Sequence, residues 1–187
     1  MIKSPVPLLG FAAYSGTGKT TLLCKIIPLL KNKGIRIGVV KHAHHNIDID
    51  HPKKDSYELR QSGATKIVVA SRKRTAIIIE HPDNEEEPTL EDALKNIHTK
   101  GLDLILVEGF KLADLPKIEL HRKALDKPYI YPNDDNIIAI ALDHPLEDQE
   151  TPMQLDLNAP QQIADFIETN IINIKMKMKM KTLHEIQ

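Results

Sequence analysis

The sequence has no tryptophan, a single cysteine and few other aromatic residues, with three phenylalanines and four tyrosines among 187 residues. The lone Cys24 excludes an internal disulfide, so a reducing compartment is expected. The formal net charge is −1, without the basic excess typical of proteins that bind nucleic acid or anionic membranes. No apolar run has the length of a transmembrane helix, and the N-terminus lacks a signal-peptide core. We therefore expect a cytoplasmic protein with no nucleic-acid partner and no membrane partner.

Short apolar runs alternate with helical patterns along the chain. Residues 8–13 form an apolar run, residues 19–33 have the composition of a helix that ends at Gly34, and residues 35–40 are again apolar and β-branched. This order predicts a strand, a helix and a parallel strand. Further strands are predicted at 66–71, 75–80, 102–107, 117–122 and 137–142, and further helices at 55–61, 89–101 and 161–169. Thr89 is the predicted N-cap of its helix.

These elements predict an α/β fold. We expect three layers, a P-loop NTPase-like arrangement and a mostly parallel sheet. Residues 66–71 and 75–80 are joined by a short basic turn, which predicts an antiparallel hairpin on the edge of that sheet. We expect residues 1–170 to form one nucleotide-binding domain and residues 171–187, which alternate lysine and methionine, to form a mobile tail.

A glycine-rich segment between the first strand and the first helix matches the P-loop pattern. Gly18, Lys19 and Thr20 supply its second half, while Ala13 stands where the pattern has its first glycine. A Cβ is tolerable there if φ is negative. Closely wrapped backbone N–H groups at a helix N-terminus bind phosphate oxygens. The predicted nucleotide-binding residues are Ser15, Gly16, Thr17, Gly18, Lys19, Thr20 and Thr21.

A carboxylate follows the apolar run at 104–107. Ligands of open α/β sheets lie beyond the carboxyl ends of the strands, which favours Glu108 over Asp103 at the opposite end. Thr20 and Glu108 are therefore predicted to serve a Mg²⁺ ion, with Glu108 acting directly or through a water.

A histidine-rich loop leaves the carboxyl end of the second strand, and so faces the same edge. Two interpretations stay open: a transition-metal site, or a substrate and Mg²⁺ loop whose imidazoles bind anions. The candidate residues of this loop are Lys41, His42, His44, His45, Asp48 and Asp50. Elsewhere, Cys24 is expected to be a buried helix residue, and Asp143, at the carboxyl end of its strand, is a hypothetical contact for the base.

Taken in order, several segments resemble the family of molybdopterin-guanine dinucleotide biosynthesis adaptor proteins, MobB. They are residues 15–21, 39–45, 48–50, 54–57, 63–64, 68–71 and 106–111. The blocks around His42 and Glu108 are more specific than the P-loop. The resemblance extends from about residue 8 to 122, and more loosely to 169. Ala13 and the lysine–methionine tail depart from the family pattern.

The resemblance implies GTP and Mg²⁺ as ligands, a homodimer, and a role beside the guanylyltransferase that joins GMP to molybdopterin. It also implies that residues 41–50 line the site or that of a dimer partner, with slow GTP hydrolysis at most. Two other functions stay open. One is a small-molecule or nucleotide kinase using Lys19, Arg72 and Arg74, with Asp48 or Asp50 as base. The other is a nucleotide-gated scaffold without chemistry.

Overall fold

The structure is a computed structural model, and it describes residues 2–43, 49–81, 86–147 and 150–173. The chain divides into two compact units, Met1–His42 with Thr89–Gln187, and Ala43–Pro88. In chain order the strands are β1 Leu8–Ala12, β2 Ile37–Lys41, β3 Lys66–Ala70, β4 Thr75–Ile79, β5 Leu104–Glu108, β6 Lys117–His121, β7 Ile137–Leu142 and β8 Met153–Asp156. The α-helices are α1 Lys19–Asn32, α2 Asp55–Gln61, α3 Leu90–Lys95 and α4 Pro160–Ile167.

The larger unit is built on a six-stranded parallel sheet in the order β2-β5-β1-β6-β7-β8. Strands β1 and β5 are buried along their whole length, as their continuous apolar runs predict. α1 and α4 pack on one face of the sheet, where Ile26, Leu30 and Ile163 belong to the main core. Leu90 of α3 belongs to a second core with Ile105 and Val107. The predicted α/β fold with three layers is confirmed.

Strand β6 carries alternating charged and apolar residues, yet all five are buried. Lys117 is 3% exposed and Glu119 is 0% exposed. The segment after β6 covers them. The Lys117 ammonium donates to the Asp134 carboxylate at 2.6 Å, and Glu119 accepts the backbone N–H groups of Ile130 and Tyr131, both at 2.8 Å. Burial raises the pKa of Glu119, and the two N–H donors oppose that rise.

One strand was missed, and two helices differ clearly from their predicted bounds. β8 was not predicted, because its four residues include polar Gln154 and Asp156 and have no continuous apolar run. α3 ends at Lys95 and does not continue to Gly101. α4 begins at Pro160 and is followed by a π-helical turn over Glu168–Ile172. The predicted N-cap is confirmed, since the Thr89 hydroxyl accepts the Asp92 N–H at 3.2 Å.

The prediction that Cys24 is buried is wrong, because its side chain is exposed. The buried residues of α1 are Leu22, Leu23, Ile26 and Leu30. These residues recur at the three- and four-residue spacing of a single helix face, and Cys24 lies off that face. The apolar composition of α1 suggested burial around most of the helix, but the sheet covers only one side.

The smaller unit contains α2 and the strands β3 and β4, which pair antiparallel in register from Lys66↔Ile79 to Ala70↔Thr75. The predicted hairpin is thus confirmed, but its predicted place on the edge of the main sheet is wrong. β3 and β4 form a two-stranded sheet of their own, and the edges of the parallel sheet are β2 and β8. A hairpin pairs its two strands locally, so its backbone hydrogen bonds do not require another sheet.

The boundary predicted between residues 170 and 171 stays a prediction, and residues 174–187 lie outside the described residues.

Within the smaller unit, Arg60 of α2 lies between two carboxylates. Its guanidinium group is 2.8 Å from Asp50 and 3.3 Å from Glu80, and its side chain is largely buried. This pairing connects the start of the unit to Glu80, the residue that follows β4.

No helix in the described part of the chain is long and apolar enough to cross a membrane.

Candidate nucleotide-binding site

The glycine-rich loop joins the carboxyl end of β1 to the first turn of α1. Gly16 has φ 83° and Gly18 has φ 94°, a left-handed conformation that glycine adopts without steric cost. Ala13 is buried in the main core and is not among the described residues with positive φ. Its backbone therefore has the negative φ at which a Cβ is tolerated, so the alanine fits where the pattern has glycine.

The backbone N–H groups of this loop have almost no acceptors within the protein. Among residues 15–21, all of which are described, only the Thr17 N–H donates to another residue, the Tyr14 carbonyl at 3.4 Å. The buried Thr17 hydroxyl donates to the same carbonyl at 2.9 Å. Ser15, Thr20 and Thr21 are exposed. The N-terminus of a 14-residue helix thus presents several N–H donors to one exposed region, which suits an anion.

Thr20 and Glu108 come together at the edge of this loop. Strand β5 pairs with β1 in the register Phe11↔Glu108, so Glu108 ends its strand beside the phosphate loop. The Thr20 hydroxyl donates to a Glu108 oxygen at 3.1 Å. Neighbouring ligands of an octahedral Mg²⁺ ion lie about 3 Å apart when each is about 2.1 Å from the ion. A hydroxyl and a carboxylate at this separation therefore fit a Mg²⁺ whose other ligands are phosphate oxygens and waters.

Lys41 and Lys19 interact with the Glu108 carboxylate, and Lys111 lies close to Lys19. The Lys41 ammonium is 3.7 Å from a Glu108 oxygen, and β2 pairs with β5 in the register Lys41↔Glu108. Burial lowers the pKa of Lys19, Glu108 raises it, and the charges of Lys111 and Lys41 lower it. Three positive charges near one negative charge leave an excess that a polyphosphate would neutralise. Lys111 was not predicted as a site residue, although it stands three residues after Glu108.

The sequence profile of a family described as "Molybdopterin guanine dinucleotide synthesis protein B" matches residues 8–143. The chain belongs to this family. An adapter protein of molybdopterin-guanine dinucleotide biosynthesis from Escherichia coli is 49% identical over 166 residues, covering 88% of this chain and 93% of the relative. Its counterpart from Haemophilus influenzae is 44% identical over 168 residues, covering 89% and 90%.

Solved structures of the family have the same fold. Bacillus subtilis MobB has a TM-score of 0.65 at 24% identity, covering 88% of this chain and 98% of that one. A crystal structure of molybdopterin-guanine biosynthesis protein B has a TM-score of 0.64 at 26% identity, covering 86% and 97%. At these identities the likeness bears chiefly on the arrangement of the elements, a P-loop NTPase-like sheet with helices on both faces.

The backbones of β2 and β5 approach closely just beyond their carboxyl ends. The His42 N–H donates to the Glu108 carbonyl at 2.8 Å, and the His42 ring stacks on Phe110 at 4.8 Å. A Cβ on Gly109, which has φ 96°, would lie 2.9 Å from the His42 carbonyl oxygen. Glycine is therefore required between Glu108 and Phe110, and this contact explains why a glycine stands in this MobB block.

The structure describes only some of the remaining candidate residues of the histidine-rich loop. His44, His45 and Asp48 lie outside the described residues. Asp50 belongs to the smaller unit, where it pairs with Arg60. No cluster of three potential metal-binding side chains occurs among the residues that the structure describes. The two interpretations of this MobB loop both stay predictions.

Two residues on the other side of the phosphate loop have contacts that the sequence did not suggest. Arg122 follows β6 and donates from Nε to the Thr17 carbonyl at 2.9 Å. Asp143, the hypothetical base contact, accepts the Lys123 N–H at 3.1 Å and lies 2.9 Å from His144 Nδ1. The rule that selected Glu108, a polar residue at the carboxyl end of a strand, applies equally to Arg122 and would have found it.

Proposed function

We propose that this MobB-family chain is an accessory protein of molybdopterin-guanine dinucleotide synthesis that binds GTP with Mg²⁺ at the phosphate loop. The observation that carries the proposal is the convergence of unpaired loop N–H donors, Lys19 and the Thr20–Glu108 pair at 3.1 Å. These groups would bind the β- and γ-phosphates and the metal ion of a nucleoside triphosphate.

The choice of guanine and the place in cofactor synthesis rest on the family. The relatives are named adapter proteins of molybdopterin-guanine dinucleotide biosynthesis. The partner is then a guanylyltransferase, and the second ligand is molybdopterin. In that reaction a phosphate of the pterin attacks the α-phosphorus of GTP and pyrophosphate leaves. An adapter that holds GTP or the pterin beside the transferase would serve this step without performing chemistry itself.

A comparison of nucleotides by isothermal titration calorimetry tests the proposal. We expect GTP to bind more tightly than ATP, and Mg²⁺ to strengthen GTP binding, because the ion neutralises phosphate charge next to Glu108. Thr20→Val should remove most of the Mg²⁺ effect, whereas Cys24→Ser, at an exposed position of the same helix outside the phosphate loop, serves as a control. Tighter binding of ATP, with transfer of its terminal phosphate to an added acceptor, would establish the kinase alternative instead.

We also propose that the protein acts as a homodimer through the hairpin of the smaller unit. Val68 of β3 and Ile77 of β4 are cross-strand partners, and they are 62% and 59% exposed. An isolated two-stranded sheet is marginally stable, and paired apolar residues on its surface are typical of an interface. A second copy of the hairpin would cover the same residues symmetrically.

Sedimentation velocity measures this property directly. The wild-type chain should sediment as a dimer, and Ile77→Lys should shift it to a monomer, because an unpaired charge would be buried at the interface. Leu112→Lys is the matched control: Leu112 is fully exposed in the larger unit, and its replacement should leave the dimer intact. A dimeric Ile77→Lys protein would show that the hairpin is not the interface.

A further inference from the structure

The segment that follows β6 lies along the phosphate loop on the side away from Glu108. Arg122 Nε donates to the Thr17 carbonyl at 2.9 Å. A Cβ placed on Gly18 would be 3.9 Å from Arg122 Nη2, and one placed on Gly16 would be 4.0 Å from the Leu125 side chain. The glycines of the loop thus have the β6 segment as their neighbour.

The order of the strands gives this side a definite place in the site. β5 and β6 are the two neighbours of β1, on opposite sides. Glu108 and Thr20 mark the β5 side as the place of the metal ion and of the phosphates it binds. With the metal ion and the terminal phosphates on the β5 side, the α-phosphate and the nucleoside of a nucleotide would lie toward the β6 side, the other neighbour of β1. Arg122 is a cation that contacts this end of the phosphate loop.

Most N–H donors of the Arg122 guanidinium group have no acceptor among the described residues. It carries five N–H bonds, and within the described residues only the one on Nε has an acceptor at hydrogen-bond distance. Its nearest carboxylate, that of Asp143, is 3.7 Å from Nη1. The side chain is 37% exposed. The Nη groups can therefore bind a phosphate oxygen while Nε stays on the Thr17 carbonyl.

Asp143 is itself held from several directions. Its Oδ1 accepts the Lys123 N–H at 3.1 Å and lies 2.9 Å from His144 Nδ1, while His144 Nε2 lies 3.1 Å from the Tyr129 hydroxyl. The hydrogen bond from His144 lowers the pKa of Asp143, so that the carboxylate is charged near neutral pH. Its other oxygen faces Arg122. Oδ1 is thus occupied within the protein, while Oδ2 lies 3.7 Å from Arg122 Nη1, a separation at which the two charges attract without a hydrogen bond, so Asp143 is placed to orient Arg122 electrostatically.

We propose that Arg122 binds the α-phosphate at the nucleoside end of the nucleotide, and that Asp143 is the positioning residue that holds the guanidinium over the phosphate loop. This inference deepens the proposed function and rests on nucleotide binding at this loop, but it does not depend on which base is bound. It adds a fourth cation to Lys19, Lys41 and Lys111, and this cation lies on the opposite side of β1 from Lys41 and Lys111.

Two variants separate phosphate binding from support of the loop. Arg122→Gln keeps a donor that reaches toward the Thr17 carbonyl but removes the charge. We expect it to weaken Mg·GTP and Mg·GDP binding by about 10- to 100-fold, the range for a lost charge-assisted hydrogen bond. Binding of Mg·pyrophosphate, which has no α-phosphate, should change by less than about threefold, measured by displacement of a fluorescent GTP analogue. Lys123→Ala, which removes the neighbouring cation, should match the wild type.

Asp143→Asn tests the positioning role. It should weaken GTP binding less than Arg122→Gln does, and the double variant should bind GTP no more weakly than Arg122→Gln alone, because Asp143 acts through Arg122. Equal losses of GTP and pyrophosphate binding in Arg122→Gln would overturn the inference in favour of a structural role. Unchanged GTP binding would overturn it as well. Failure of the wild type to prefer GTP would refute the proposed function alone, since the same comparison can be made with ATP, ADP and pyrophosphate.

Discussion

Replacing Asp134 by alanine should destabilise the fold by about 3–5 kcal/mol, the usual cost of leaving a buried charge without its partner. The Lys117 ammonium is 3% exposed, and its two neighbours are the Asp134 carboxylate at 2.6 Å and the Lys111 carbonyl at 2.9 Å. Gly10 of β1 makes room for its stem, because a Cβ there would lie 2.8 Å from Lys117 Cγ. The charge therefore cannot move to solvent without disturbing β1. Urea denaturation followed by circular dichroism measures the change.

Two further variants separate the lost charge pair from a general loss of packing. Lys117→Met combined with Asp134→Ala should be more stable than Asp134→Ala alone, since no unpaired charge then remains. Lys95→Ala breaks an ion pair of similar length, 2.7 Å, that is exposed on α3, and its urea midpoint should match the wild type. A midpoint of Asp134→Ala close to that of Lys95→Ala would show that the buried pair contributes little.

The same pair predicts a direction for the pH dependence. Burial alone would raise the pKa of Asp134, but its hydrogen bonds with Lys117 and Asn136 hold the pKa below its ordinary value. A depressed carboxyl pKa stabilises the fold fully above the unfolded-state value of about 3.9. This stabilisation is lost as the pH falls through the folded-state pKa. The difference in stability between wild type and Asp134→Ala should therefore shrink below about pH 4.

Lys19→Ala should weaken GTP binding by about 100-fold or more, since it removes charge-assisted hydrogen bonds to two phosphates. Lys19 stands at the first position of α1, and Glu108 opposes the burial that lowers its pKa. Lys19 therefore stands beside the N–H groups of the loop that have no acceptor among the described residues. Isothermal titration calorimetry with Mg·GTP measures the loss.

Lys25→Ala provides the control for this variant. Lys25 is an exposed cation of the same helix, so its removal changes the net charge equally without touching the phosphate loop. GTP binding by Lys25→Ala should match the wild type. A GTP affinity of Lys19→Ala within threefold of the wild type would remove Lys19 from the phosphate site and leave the loop N–H groups as its main donors.

Features that a short stretch of sequence shows by itself, such as a continuous apolar run or a glycine-rich turn, were predicted correctly. β1 and the first four residues of β5 are continuous apolar runs, which predicted burial on both faces, and the glycine-rich turn between β1 and α1 was evident from spacing alone. Glu108 was selected by a rule that needs only the direction of parallel strands, and the structure places it 3.1 Å from Thr20. The histidine-rich loop could be assigned to the same edge but not to a ligand, and His44, His45 and Asp48 stay predictions.

The errors concern positions whose environment is set by distant parts of the chain. β6 was predicted as a strand, but its sequence does not indicate that the segment after it covers its charged residues and pairs with them. Cys24 lies in an apolar helix, yet the sheet covers only the other side of it. The hairpin of β3 and β4 was correct as a local pairing, while its place relative to the main sheet depends on contacts that no local pattern encodes.

The phosphate loop and its family were thus determined by the sequence alone, because a glycine-rich turn between a buried strand and a helix is a local property. Only the tertiary structure decided which residues surround it. The order of strands places Glu108 on one side of β1 and Arg122 on the other, although they stand on different strands and far along the chain from the loop. Strand order depends on the packing of the whole sheet, so the sequence places Arg122 at the carboxyl end of a strand but does not show that this strand is a neighbour of β1.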